Sequence, residues 1–250
     1  YSIWLATVVV SGISYLSYLL KRYVFHESGT LVSGIIGGLY SSTATISVLA
    51  RKSRKASEQE ATDYVAAMLL AVSMMFLRFM ILILIFSREI FLSIYPYLLT
   101  MAVVAAIVAW FIHSRQKRPE DQPAETEEDD SSNPLEFKVA LIFAVLFVIF
   151  TFLTHYTLVY AGTGGLNLLS FVSGFSDITP FILNLLQNTG SVAALIITAC
   201  SMQAIISNIM VNMFYALFFA GKGSKLRPWI LGGFGVVIVC NLVLLLFFYI

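Results

Sequence analysis

Charge is what this chain lacks most. Asp, Glu, Lys and Arg make up 12% of its 250 residues, against 59% apolar, and mean hydropathy is +0.87. Soluble domains run nearer ~25% charged and ~45–50% apolar. No folded particle of this length could hide so much apolar surface from water, which excludes a soluble enzyme. The solvent of this chain is lipid. Cysteine is nearly missing as well: Cys200 and Cys240 lie in apolar runs without metal-type spacing, so no disulfide framework is expected. The three histidines, His26, His113 and His155, sit at or near the ends of apolar runs, where interfacial anchoring suits them better than metal ligation. No Walker loop, GxSxG elbow or HExxH helix occurs, which leaves an ATPase or an intramembrane hydrolase without its parts. No enzymatic activity, cofactor or nucleic-acid partner is expected. The chain opens at Tyr1 with neither an initiator Met nor a signal peptide, so a piece of a longer protein is expected.

What is present is long apolar sequence cut by charge. A bilayer core of about 30 Å needs about 20 apolar residues per helix. Eight segments meet or approach that length: 2–20, 29–50, 64–87, 90–112, 139–162, 166–186, 191–220 and 228–250. Between the fourth and fifth lies a polar stretch with the acidic run Glu125 to Asp130, which reads as a solvated connector. The chain thus divides into a first membrane repeat (1–113), an acidic linker (114–135) and a second membrane repeat (136–250).

The halves read as copies. A shift of 136 lays Gly29 on Gly165, Gly38 on Gly174, Ser41 on Asp177 and Thr43 on Thr179. A shift of 134 lays Ser73 on Ser207 and Arg78 on Asn212, and a shift of 132 lays Pro96 on Pro228. Ordered anchors at a nearly constant offset indicate internal duplication.

The basic residues decide whether the copies are parallel or inverted. If all eight segments cross, eight Lys and Arg fall on one face and six on the other, which is no bias. If the second segment of each half dips in and returns, thirteen gather on one face and only Arg88 remains on the other. That asymmetry favours an all-α polytopic membrane protein of two inverted repeats, each of three transmembrane helices plus one re-entrant broken helix. Both chain ends then lie outside, and the linker lies in the cytoplasm. Inverted repeats with broken helices are a recurring plan of secondary transporters. Gly34, Gly37 and Gly38, and in the second copy Gly174 with Pro180, stand where a continuous helix is least favoured. Thr179-Pro180 reads as a helix start with Thr as N-cap and Pro at the first helical position, and Thr43-Ala44 holds the same place in the first copy.

Gly34-Ile-Ile-Gly-Gly-Leu-Tyr-Ser-Ser-Thr-Ala-Thr45, followed by Ala50-Arg-Lys-Ser-Arg54, resembles the first signature of a bacterial membrane-protein family of unknown function. Asn133-Pro-Leu-Glu136 and Ser173-Gly-Phe-Ser-Asp177 resemble its later signatures, and the likeness runs over nearly the whole chain. That domain commonly follows an MgtC/SapB-type membrane domain, as an MgtC-associated C-terminal domain. Where the family tends to carry a second Asp and then Ala, this chain has Thr179 and Pro180. The resemblance implies a multi-pass protein of the bacterial inner membrane with a link to transport or magnesium limitation. It supplies no substrate.

Few residues inside the segments can carry chemistry. Asp177 is the one acid, and a carboxylate at membrane depth marks a function unless it merely caps a half-helix. Arg78 is the one base deep in a segment, and a buried pair with Asp177 is the simplest account of both, structural or gating. Ser41, Ser42, Thr43 and Thr45 form a hydroxyl cluster that either lines a site or satisfies unwound backbone. Gln203, Asn208 and Asn212 recur on one helical face, as interhelical hydrogen bonds or as pathway lining. Arg51 to Lys55 reads as a topology determinant, with anionic-lipid contact secondary.

The expected function is a secondary transporter or channel for a small ion (a cation, with magnesium a candidate) or solute. Its site lies between the re-entrant segments: Ser41, Ser42, Thr43, Thr45, Ser176, Asp177 and Thr179, with Arg78, Asn208 and Asn212 lining it; the identity of any metal is left open. The alternative is a non-transporting regulatory membrane protein that binds a partner within the bilayer. Expected partners are the lipid bilayer, the ion or solute, and an N-terminal MgtC-type domain of the full-length chain, with room for a homodimer.

Overall fold

The computed structural model describes residues 2–19, 29–54, 56, 58–115, 137–187, 192–221 and 224–249. Among them are eight helices and no strands: α1 (Ser2–Leu19), α2 (Thr30–Lys52), α3 (Glu58–Phe86), α4 (Arg88–Ser114), α5 (Phe137–Ser173), α6 (Ile178–Gln187), α7 (Ala194–Ala220) and α8 (Arg227–Tyr249). Helix is the one secondary structure that lets each apolar segment satisfy its own backbone in lipid. Six stretches are long and apolar enough to cross a membrane: Thr30–Lys52, Glu60–Phe86, Arg88–Ser114, Ala144–Ser173, Ala194–Ala220 and Arg227–Phe247. Five of these, in α3, α4, α5, α7 and α8, are crossings that charge patterning picks out, and α2 is added to them; α1 is an apolar helix of 18 residues, several of whose side chains lie outside the described ones. The acidic linker, Lys21, Arg22 and His26 lie outside the described residues.

Both segments expected to be broken are broken, the second at Gly174 as expected and the first just past its glycines. In α2 the helix is interrupted at Ser41, whose backbone is extended at φ −157° and ψ 108°. Gly34 and Gly38 lie before that break and serve packing instead. A Cβ at Gly34 would stand 2.3 Å from the Ala67 carbonyl oxygen, and one at Gly38 would stand 2.5 Å from the Ala71 Cα. Two glycines and two alanines, each pair four residues apart, let α2 and α3 touch backbone to backbone, as small residues do between membrane helices.

In the second half the fifth segment ends as expected at Gly162 (φ 58°, ψ −149°), a conformation open to glycine, where two helical stretches of α5 meet at a kink; the second stretch runs on to Ser173. The interruption comes at 174–177, and α6 follows with only 10 residues. At 1.5 Å per residue that is about 15 Å, half the bilayer core. Every α6 residue from Ile178 to Leu186 is buried, so the half-helix is enclosed by protein. Asn184 on α6 donates to the Thr151 hydroxyl of α5 at 2.8 Å.

The breaks themselves correspond. Ser41 and Asp177, matched by the 136 shift, each cap the half-helix that follows. Ala44 N–H donates to Ser41 Oγ at 3.3 Å, and Thr179 N–H donates to Asp177 Oδ1 at 2.9 Å. The caps are therefore Ser41 and Asp177, two residues earlier than the Thr43 and Thr179 expected. Pro180 then falls at the third helical position, where a missing N–H still costs no helix bond. Just before each break a glycine packs against the third helix of its own half: Gly38 on Ala71, and Gly174 on Ser207, whose Oγ would lie 2.3 Å from an added Cβ. The proline anchor does not hold, since Pro96 lies inside α4 and Pro228 in the first turn of α8.

α7 is the most enclosed long helix, with 72% of its apolar window buried, whereas α5 is outermost at 17%. Tyr97 OH of α4 donates to Asn241 Oδ1 of α8 within the core. The α2–α3 and α7–α8 connections lie at the same end of the bundle. Arg54 Nη2 donates to the Phe218 carbonyl at 3.1 Å, and Arg51 stacks over the Phe219 ring at 4.4 Å.

Candidate functional site

Breaking a helix at membrane depth frees carbonyls before the break and N–H groups after it, and each must find a partner. After the breaks, Ser41 and Asp177 supply acceptors. Before the first break, the freed Tyr40 carbonyl accepts from Arg78 Nη1 at 2.8 Å. The same guanidinium extends Nη2 to Thr179 Oγ1 at 3.1 Å, just past the second break. Arg78 on α3 thereby links both interruptions.

This corrects the direct pair expected of Arg78 and Asp177. Arg78 is buried at 9% exposure, while Phe175, Ser176 and Asp177 are exposed. The two charges meet through Thr179, whose hydroxyl accepts from Arg78 and whose N–H donates to Asp177. Asp177 stays within electrostatic reach of the guanidinium. Arg78 Nε is buried with no hydrogen-bond partner. One N–H of a fixed cation is left to spare.

The asparagines serve the second break as well. Asn208 Nδ2 donates to the Gly174 carbonyl at 3.2 Å, and Asn212 Nδ2 donates to Asn208 Oδ1 at 3.1 Å. Ser207 Oγ donates to the Phe171 carbonyl at 2.6 Å. Asn212 Oδ1 and Gln203 Oε1 are buried acceptors without partners. Ser176 Oγ donates to the Ser173 carbonyl at 3.1 Å.

The hydroxyl cluster of the first break divides. Ser42 is buried, whereas Ser41, Thr43 and Thr45 are half-buried. Thr45 fills the space where a Gly37 side chain would stand, so that glycine lets the two half-helices of α2 close on each other. Arg78 is the described link from this cluster to Thr179 and Asp177. Sequence reasoning missed Tyr40, whose part is played by a carbonyl rather than a side chain, and Asn184, whose polarity inside an apolar run was the available signal. Among the described residues, no group of three or more His, Cys, Asp and Glu is placed to hold a metal ion. His113 Nδ1 instead meets Asp63 Oδ1 at 2.7 Å, and His155 packs edge-on to Tyr156.

The family described as "Domain of unknown function (DUF4010)" matches residues 8–220. An "Uncharacterized protein" of Aquifex aeolicus (strain VF5) is 24% identical over 227 residues, covering 88% of this chain and 96% of its own. No solved structure matches.

Proposed function

This chain belongs to the DUF4010 family, for which no function is described, and from that premise we propose that it is a secondary transporter or channel for a small ion or solute. The site is the place where the two broken helices meet at Arg78. The observation that carries this reading is the guanidinium bonded to both breaks, at Tyr40 and at Thr179. An ion held at depth is costly and is kept where it serves a pathway. Asp177, exposed beside it, must face water rather than hydrocarbon while ionised. An exposed carboxylate close to a buried guanidinium supports the reading of a wet opening there.

The inverted topology belongs to the same proposal. Ser53, Arg54 and Ala56 meet Gly221, Ser224, Lys225 and Leu226 at one end of the bundle. Between them α3, α4, α5 and α7 are each long enough to cross. An even number of crossings returns the chain to its starting side only if the second half of α5 and α6 together dip in and out. A 10-residue α6 fits that path. The matched caps at Ser41 and Asp177 extend the same reading to α2.

The chemistry at the breaks favours an anion, or the acidic group of a zwitterionic solute. A guanidinium with a free Nε–H attracts negative charge, while the second half-helix N-terminus already holds the Asp177 carboxylate. A bare divalent cation such as magnesium would want a shell of oxygen ligands. We place the protein in the bacterial inner membrane with the basic end cytoplasmic, following the positive-inside rule, and alongside an MgtC-type domain in its full-length chain. Reconstitution into proteoliposomes with a panel of anions, zwitterions and cations tests the function, with Asp177→Asn and Arg78→Lys as site variants.

A further inference from the structure

A cleft of about 740 Å³ opens at the basic end of the bundle, away from the breaks. It lies between the α2–α3 connection, the first turns of α3, the end of α7 and the start of α8. That volume falls within the ~300–1,000 Å³ of ordinary ligand sites. Its walls are basic and hydroxylic, with one large aromatic: Arg54, Lys225, Ser53, Thr62, Ser224 and Trp229 all line it.

Arg54 is held in place rather than trailing into solvent. Its Nη2 donates to the Phe218 carbonyl, and its guanidinium packs within 3.5–3.8 Å of where a Cβ on Gly221 would stand. Gly221 adopts φ +93°, which a side chain would strain, so glycine turns the chain beside Arg54. Anchoring one N–H fixes the fork, and the remaining N–H groups make no hydrogen bond among the described residues. Lys225 and Trp229, which flank the start of α8, line the same space. A fixed guanidinium and a lysine around one space recognise an oxyanion. Glu60, exposed in the first turn of α3, is not among the residues that line the cleft.

We propose that this cleft binds a phosphate group. The lipid-facing edge is marked by Trp229, 38% exposed at a bundle end, where tryptophan seats itself among headgroups. Basic pockets between helices near the membrane surface hold anionic headgroups in this manner. The sequence gives Arg51 to Lys55 a diffuse electrostatic role. The fold instead gathers Arg54 with Lys225, distant in sequence, around one opening.

The same chemistry fits a phosphodiester headgroup or free inorganic phosphate, and two arms separate them. In the first, the full chain is released from detergent with phosphatidylglycerol or phosphatidylcholine, and retained lipid is counted by native mass spectrometry. In the second, inorganic phosphate is titrated while Trp229 fluorescence is read in a Trp4→Phe, Trp110→Phe background. The proposal expects preferential retention of one phosphatidylglycerol, or saturable quenching by phosphate, weakened about tenfold or more by Arg54→Gln with Lys225→Gln. Arg88→Gln removes a single charge elsewhere, as Lys225→Gln does in the cleft, and should leave binding unchanged. Lys225→Gln alone, which keeps the Arg54–Phe218 bond, serves if the double variant does not fold. Retention in the first arm assigns the site to lipid, and quenching in the second alone assigns it to free phosphate. Equal retention of both lipids with no quenching would overturn the proposal, as would binding that ignores the charge removals.

Discussion

Arg78 and Thr179, 101 residues apart in sequence, are joined by a hydrogen bond of 3.1 Å from guanidinium to hydroxyl. The bond ties the helix that carries the buried cation to the half-helix whose cap is Asp177. Through Tyr40 it also ties in the first break.

The first prediction is that Thr179→Val destabilises the protein by about 1–3 kcal/mol, because a buried charged donor loses an acceptor. Combined with Arg78→Met, the cycle should be non-additive by about 0.5–3 kcal/mol. The cycle of Arg78→Met with Asp177→Asn should couple more weakly, since those residues meet only through Thr179. Unfolding in mixed micelles measures all three. Equal coupling of Arg78 to both residues would argue for direct contact with Asp177.

Close packing of α2 on α3 gives the second. Gly38→Ala should cost about 1–3 kcal/mol, because its Cβ would press on the Ala71 backbone, which cannot yield as a side-chain tip can. Gly232→Ala has open space around the new methyl and should be neutral or slightly stabilising. Thermal unfolding of the two variants side by side checks the contrast, and equal melting temperatures would deny the close approach.

Much of this arrangement was legible in the sequence, and the limits have physical causes. Lipid solvation made the helical segments visible as charge-free runs, and the 136 shift set Ser41 against Asp177, the two residues that cap the half-helices. Cap positions were misjudged by two residues because Thr-Pro is a strong local signal, whereas the cap is chosen by which oxygen reaches the freed N–H. Gly34 and Gly38 were taken for weak points because sequence does not tell a flexible glycine from one that makes room for a neighbour. The Tyr40 carbonyl could not be foreseen at all, since every residue carries one.

Topology supplies the third prediction. With Cys200 and Cys240 replaced, single cysteines at Lys52, Glu125 and Lys225 should label from one side of the membrane. Cysteines at Arg88, Thr163 and Asn188 should label from the other. Lys52 and Lys225 on opposite faces would be incompatible with the dipping segments.

A fourth concerns the core bond between Tyr97 and Asn241. Tyr97→Phe leaves a buried amide oxygen without its donor and should cost about 1–3 kcal/mol. Because the bond lies between α4 and α8, away from the breaks, any flux should survive in the variant. Loss of flux with unchanged stability would place this pair on the pathway instead.

The most direct test of the account is solute flux into proteoliposomes carrying the wild-type chain, read against Asp177→Asn and Arg78→Lys proteins that elute as folded particles. The account predicts saturable uptake of at least one small anion or zwitterion by the wild type, reduced at least about tenfold in both variants. Flux undiminished in the variants, or no flux from folded wild type across the anion, zwitterion and cation panel, would contradict it and favour a regulatory membrane protein.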